Sequence, residues 1–257
     1  MKIDVTVATL NSSNTIWKCL NSIHQNIPYR KIIVVDGGSV DDTVKICKSF
    51  GAELISARGA LLGETRFLQA LNCETEWIAF IDSDVYVKKN WWTTINKHIK
   101  DDRGIINSRC LYKCTFEAYK RFFEYCWKSR PHPRVNVSFS NSLTRRELVL
   151  KCNHICRVHA GEDEVFFKYV KNLGLNNVTI SGDLAYHDND IYLHHPFAYF
   201  RMGRSIKNLK IKIPLLFYGK IRQWINYSKK INSFNFNLLR FLLKLCVCQS
   251  AGILSHF

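Results

Sequence analysis

The chain has 257 residues, of which 47% are hydrophobic and 13% aromatic. That composition excludes a disordered or low-complexity protein and is ample for a buried core. Its formal net charge is +16, and no Asp or Glu follows Asp190, whereas Arg201, Lys212, Arg222, Lys230, Arg240 and Lys244 do; an anionic partner, a membrane surface in preference to nucleic acid, is expected for the last quarter.

Ile3–Thr9 alternates and is rich in β-branched residues, predicting a first strand. Asn11-Ser12-Ser13-Asn14 supplies N-caps for a helix over Thr15–Asn26, with Ile16, Leu20 and Ile23 on its buried face. Lys31–Val35 is a second strand closed by Asp36-Gly37-Gly38-Ser39, and a helix follows through Val44, Ile46, Cys47 and Phe50. Glu53–Ser56 is a third strand, Glu64–Leu71 a helix, and Trp77–Ile81 an apolar fourth strand. Strands and helices alternating in this way predict an α/β fold with a parallel, doubly wound sheet.

Further along, Thr115–Trp127 reads as an aromatic-rich helix broken by Arg130-Pro131-His132-Pro133. Ser142–Leu148 opens another helix, Glu162–Asn172 is a third that Gly174 ends, and Val178–Ser181 is a strand. A last helix is expected over Asn237–Val247, with Arg240 and Lys244 four apart on one side. It would lie on a membrane or dock on its own domain with the basic face in solvent. No apolar run reaches the roughly 18 residues of a spanning helix, and Met1 leads directly into a strand pattern, so a cytoplasmic location is expected, peripheral on a membrane at most. There the ten cysteines should be reduced, with Cys110/Cys114 and Cys152/Cys156 spaced for a zinc site or disulfides.

The fourth strand ends in Asp82-Ser83-Asp84. Residues two apart on an extended segment point the same way, so both carboxylates can converge beyond the strand, where open parallel sheets bind ligands. Two hard oxygen ligands suit Mg²⁺ or Mn²⁺ shared with a substrate's phosphates, although Asp-Ser-Asp is also an ordinary turn. Gly161-Glu162-Asp163-Glu164 gathers acids at a helix N-terminus, which lowers their pKa; a base there needs burial or a neighbouring charge to raise it.

Val7-Ala8-Thr9-Leu10-Asn11, Val34-Val35-Asp36-Gly37-Gly38-Ser39, Gly63-Glu64-Thr65-Arg66, Phe80-Ile81-Asp82-Ser83-Asp84, Gly161-Glu162-Asp163-Glu164 and His187, in this order, resemble the inverting glycosyltransferases of family 2. The resemblance covers about residues 1–205 and implies a GT-A fold: a Rossmann-like, mostly parallel sheet with flanking helices over residues 1–200, followed by a basic helical extension over 201–257. It implies transfer of one sugar from a UDP- or GDP-linked donor to a hydroxyl acceptor, a lipid-linked glycan or other glycoconjugate. Thr9, Asn11, Asp36, Arg66, Asp82, Ser83 and Asp84 would bind the nucleotide sugar. Asp84, Asp82 and His187 would hold Mn²⁺ or Mg²⁺, with His194 and His195 as rivals for the last place, and Asp163 would be the general base. The usual Pro of the first motif is Ala8 here, and no Gln-x-x-Arg-Trp motif of processive synthases follows His187. A polyprenyl-phosphate acceptor, which needs no base, is the alternative enzyme. A non-catalytic membrane or nucleic-acid module built on the basic tail is the alternative outside enzymes.

Overall fold

The computed structural model describes residues 1–113, 117, 121, 125, 138–158, 161–188, 213–231, 233–234, 236, 238–240, 242–243 and 246. The chain divides into two units, Met1–Leu111 with Arg134–Asp188, and Tyr112–Pro133 with Asn189–Phe257.

In the first unit the expected β-branched runs form β1 (Ile3–Thr9), β2 (Tyr29–Asp36), β3 (Glu53–Ser56) and β4 (Trp77–Asp82), parallel and in the order β3-β2-β1-β4. Connecting them are α1 (Ile16–Asn26), α2 (Thr43–Ser49) and α3 (Leu62–Leu71). These strands are apolar throughout because both faces are covered. Val5, Val7, Ala79 and Ile81 share one core with α1, α2 and α4 (Trp91–Ile95). Ile33, Val35, Ile78 and Phe80 share the other with α3, α5 (Arg146–Lys151) and α6 (Glu162–Asn172). Phe139 links that second core, its ring 4.8 Å from Phe80 and 5.0 Å from Phe166 between centroids.

Beyond β4 the sheet continues as β7 (Asn141–Arg145), β6 (Arg103–Lys113), β8 (Asn176–Asp188) and β5 (Val85–Val87). The helix expected over Ser142–Leu148 is therefore a strand as far as Arg145, with α5 starting at Arg146. Its polar residues conceal a core strand. Ser142 and Thr144 are fully buried and join hydroxyls at 3.1 Å, while the Asn141 amide takes the Trp91 indole N–H and donates to Ser108 Oγ at 2.7 Å. Antiparallel pairing with β4 and β6 then supplies both backbone ladders. The strand expected over Val178–Ser181 is the middle of the 13-residue β8.

Only Ser83 and Asp84 separate β4 from β5, yet β5 is the far edge of the sheet, paired antiparallel with β8 through Val85↔His187. Helix α1, which packs on β1, also binds β5: Val87 N–H donates to Ser22 Oγ at 3.0 Å and Asn26 Nδ2 donates to Val87 C=O at 3.0 Å. The sheet thus curls round α1, and side chains occupy edge groups that would otherwise template another strand.

In the second unit α7 spans Ile213–Lys230. Trp224 and Tyr227 are buried on it, Trp224 against Phe234 and Phe236, Tyr227 with its ring 5.4 Å from Tyr125. The expected last helix is helical wherever it is described. Leu238, Leu242 and Cys246, spaced four apart, are buried, and Arg240 is exposed. The expected Thr115–Trp127 helix lies outside the described residues except for Glu117, Arg121 and Tyr125, which are helical, as do the Arg130–Pro133 break, His194 and His195. Cys110, Cys152 and Cys156 are free thiols, so the Cys152/Cys156 disulfide does not form; Cys114 is not described. Among the described residues no helix is long and apolar enough to cross a membrane.

Candidate active site

The register of the parallel strands brings their carboxyl ends level, with Thr9 opposite Asp36, Ala8 opposite Asp82 and Asp36 opposite Ser56. Loops leaving these ends carry the polar side chains that the sequence singles out. Asp36 is held in the turn it opens: Oδ2 accepts Gly38 N–H at 3.1 Å and Ser39 N–H at 2.9 Å, and Oδ1 accepts the Ser39 hydroxyl. Gly38 sits at φ +100, a conformation open to glycine, and this aims the two N–H groups inward. Three of roughly four acceptor positions on the carboxylate are therefore taken, leaving one for a ligand. Asn11 adopts φ +50 and bridges to the same turn, accepting Val40 N–H at 2.9 Å through Oδ1 while its N–H donates to Ser39 Oγ at 2.8 Å. Thr9 is buried beside it, its hydroxyl without a hydrogen-bond partner among the described residues. Ser83 meets Ser12 across 2.9 Å, tying the β4–β5 step to the loop after β1. A cavity of about 420 Å³ opens beyond β3 between Ser56, Arg58, Gly59, Glu64 and Leu68. Neither Asp84 nor Asp163 lines it, so it lies apart from the acidic centre.

The curl of the sheet brings Asp84 to His187. Asp84 Oδ2 and His187 Nε2 are 3.2 Å apart; both side chains are 16% exposed, while Nε2 itself is buried. Burial pulls the imidazole toward neutrality, but Asp84, supported by Asp82 and Asp188, outweighs it and raises its pKa. A pair that favours one added positive charge also favours a cation. Two neighbouring ligands of an octahedral ion at about 2.1 Å stand about 3 Å apart, close to this separation. Among the described residues no group of three His, Cys, Asp or Glu side chains gathers on one metal position. Asp82, predicted as the companion ligand, directs Oδ1 to Arg66 Nη2 at 2.8 Å. A two-residue donor set is what Mg²⁺ or Mn²⁺ accepts when waters and substrate phosphates complete the shell.

Arg66, on α3, is buried among carboxylates. Besides Asp82 it faces Glu162 Oε1 at 3.7 Å from Nε, donates to Gln69 Oε1 at 3.3 Å, and lies 5.4 Å from the Phe139 ring centre. Its depth depends on Gly63, one turn earlier: a Cβ there would stand 1.9 Å from the Ile155 carbonyl oxygen, so only glycine lets α3 approach the turn over Asn153–Arg157. Asp163, in the first turn of α6, accepts Phe139 N–H at 2.9 Å through Oδ1 and lies 3.4 Å from Ser138 Oγ through Oδ2. Burial raises its pKa against the opposing pull of Arg66 and the Phe139 N–H. Glu162 is 4% exposed, and burial, with the charge of Asp163 added, pushes it up to about 7 in spite of Arg66. The condition set by the sequence for a base at this helix start, burial or a nearby like charge, is met by both. Glu162, Ser138 and Phe139 are the residues that sequence reasoning did not place. Glu162 stood in the motif with no sign that it turns inward, and a backbone donor such as Phe139 N–H leaves no mark in a sequence.

The family model of Glycosyl transferase family 2 matches residues 4–152. An uncharacterised glycosyltransferase of Rickettsia typhi is 36% identical over 239 residues, 91% of this chain and 71% of that protein. Among solved structures, glucosyl-3-phosphoglycerate synthase of Mycobacterium tuberculosis with Mn²⁺, UDP and glucosyl-3-phosphoglycerate aligns at TM-score 0.58 and 18% identity, over 81% of this chain and 78% of that one. A TarS fragment of Staphylococcus aureus in complex with UDP-GlcNAc aligns at TM-score 0.54 and 20% identity, over 80% of this chain and 66% of that one, so the chain spans just under two thirds of the fragment.

Proposed function

Because the chain belongs to glycosyl transferase family 2 and is a glycosyltransferase with a GT-A fold, we propose that it transfers one sugar, with inversion and with a divalent cation, from a nucleotide-diphosphate sugar to a hydroxyl acceptor. The observation that carries this reading is the meeting of Asp84 with His187 beside the Arg66–Asp82 pair and the raised carboxyls of α6. The solved neighbours with UDP or UDP-GlcNAc, and with Mn²⁺ in one case, support the donor class and the cation.

Thr9, Asn11, Asp36 and Ser83 would line the donor side, Asp36 through the acceptor position left on its carboxylate. Asp84 and His187 would hold Mg²⁺ or Mn²⁺, which when bound neutralises charge growing on the departing diphosphate. Arg66 fixes the Asp82 carboxylate and contributes positive charge beneath the same region. Asp163, oriented by Phe139 N–H, takes the proton of the attacking hydroxyl, and burial strengthens it as a base. A raised base is useful to a hydroxyl acceptor and has no task with a phosphate acceptor, which favours the hydroxyl reading over a polyprenyl phosphate.

The test is donor hydrolysis across UDP- and GDP-sugars with Mn²⁺ or Mg²⁺. Slow nucleotide release from one donor, removed by a chelator and by Asp84→Asn, is expected. Release that survives both would refute the cation's role, and no thermal shift with any nucleotide sugar would refute the donor class.

A further inference from the structure

The second unit exposes apolar side chains where α7 ends. Ile231, Phe234 and Phe236 are 45%, 55% and 63% exposed, directly after Lys229 and Lys230. Single exposed apolar residues are ordinary on a protein surface, but three in one short connection are a patch that calls for a partner. The rings do not hang free: buried Trp224 stands under both, 5.6 Å from Phe234 and 5.9 Å from Phe236 between centroids. Lys229 and Lys230 close α7 beside this stretch and are exposed, as is Arg240, whereas Arg222, two turns earlier, is exposed on the side of α7 away from Trp224. No carboxylate follows Asp190 to offset this charge.

We propose that the stretch from Lys229 to Phe236 docks on an anionic lipid bilayer, the Phe rings and Ile231 entering the interface while Lys229 and Lys230 meet lipid phosphates. The sequence alone directs attention to the last helix, but Leu238, Leu242 and Cys246 are buried, so the apolar side of that helix is occupied within the protein. A second copy of the chain is a poor occupant, because a two-fold contact here would bring lysines against lysines. A nucleic acid would stack on the rings but find no use for the exposed aliphatic Ile221 and Ile231. A bilayer interface takes aromatic, aliphatic and basic groups together. This docking goes beyond the transferase reading and does not depend on the donor.

The experiment is sedimentation of the full chain with phosphatidylcholine vesicles, with and without phosphatidylglycerol. Pelleting with the anionic vesicles alone, weakened by salt, is expected. Phe234→Ser/Phe236→Ser should weaken binding about tenfold, and so should Lys229→Glu/Lys230→Glu, which alters exposed side chains only and keeps the test valid if the first variant folds poorly. The proposal is overturned if the wild type stays in the supernatant, binds both vesicles alike, or is unaffected by the charge reversals. It is also overturned if the patch instead binds single-stranded RNA, or holds a dimer that Phe234→Ser/Phe236→Ser separates.

Discussion

Glu162→Gln gives a direct measure of how the buried acidic centre is poised. In the folded chain Glu162 is pushed up to about 7 from an ordinary 4.5, burial being the largest cause and the Asp163 charge the next. The native state therefore keeps a proton that the unfolded chain has already lost between these two pH values. Stability then falls as pH rises from 4.5 and stays lower above about 7. The difference amounts to about 3 kcal/mol at 1.4 kcal/mol per tenfold in proton affinity. Glutamine reproduces the shape of the neutral acid and has no proton to lose. The variant should equal the wild type near pH 4, exceed it by about 1 kcal/mol at pH 5 and by about 3 kcal/mol at pH 8. In thermal melts followed by circular dichroism that is a gain of about 6–12 °C at pH 8 and a small one at pH 5. If Glu162 served mainly as an ionised anchor for Arg66 Nε, the sign would reverse. A variant less stable than wild type at pH 8, or shifted equally at both pH values, would refute the account.

Asp163→Asn should lower turnover by about 10²–10⁴ while leaving donor affinity, read by calorimetry with the nucleotide, within about twofold; retained turnover would favour a phosphate acceptor. Gly63→Ala should cost about 2–3 kcal/mol in urea denaturation, because the new Cβ meets the Ile155 carbonyl oxygen and α3 must withdraw. Since Arg66 is carried on the same helix, donor hydrolysis should fall with it, and unchanged stability would show that the approach of α3 to Ile155 is not tight.

The first half of the sheet was legible because its strands are buried on both faces and so read as unbroken apolar runs. The second half was not. In β7 the inward residues Asn141, Ser142 and Thr144 are polar and meet their hydrogen-bonding needs with one another and with Trp91 and Ser108, a satisfaction invisible to any periodicity. Val85–Val87 is too short to register as a strand, and its partner lies about a hundred residues onward. The acidic motif at the end of β4 could be read from the sequence as a candidate ligand site. That its two aspartates part company, Asp84 to His187 and Asp82 to Arg66, follows from the curl of the sheet and from the depth that Gly63 gives α3. Arg66 was assigned to the nucleotide sugar by resemblance; its close carboxylate neighbours Asp82 and Glu162 come from packing alone.

The placement of β5 also has a consequence for the order in which the molecule matures. Val85–Val87 emerges two residues after β4, but its strand partner among the described residues is Tyr186 and its neighbours near the far end of the first unit. While the chain is being synthesised from its N-terminus, the parallel core and α1 can assemble early from neighbouring segments. Asp84 then waits, with Ser22 and Asn26 of α1 covering one edge of β5, until His187 has been made and β8 docks. Loop closure over so long a separation is slow. Pairing of Asp84 with His187 is thus a late event, and a ribosome-bound nascent chain ending before His187 should be compact yet lack the cation site proposed for that pair.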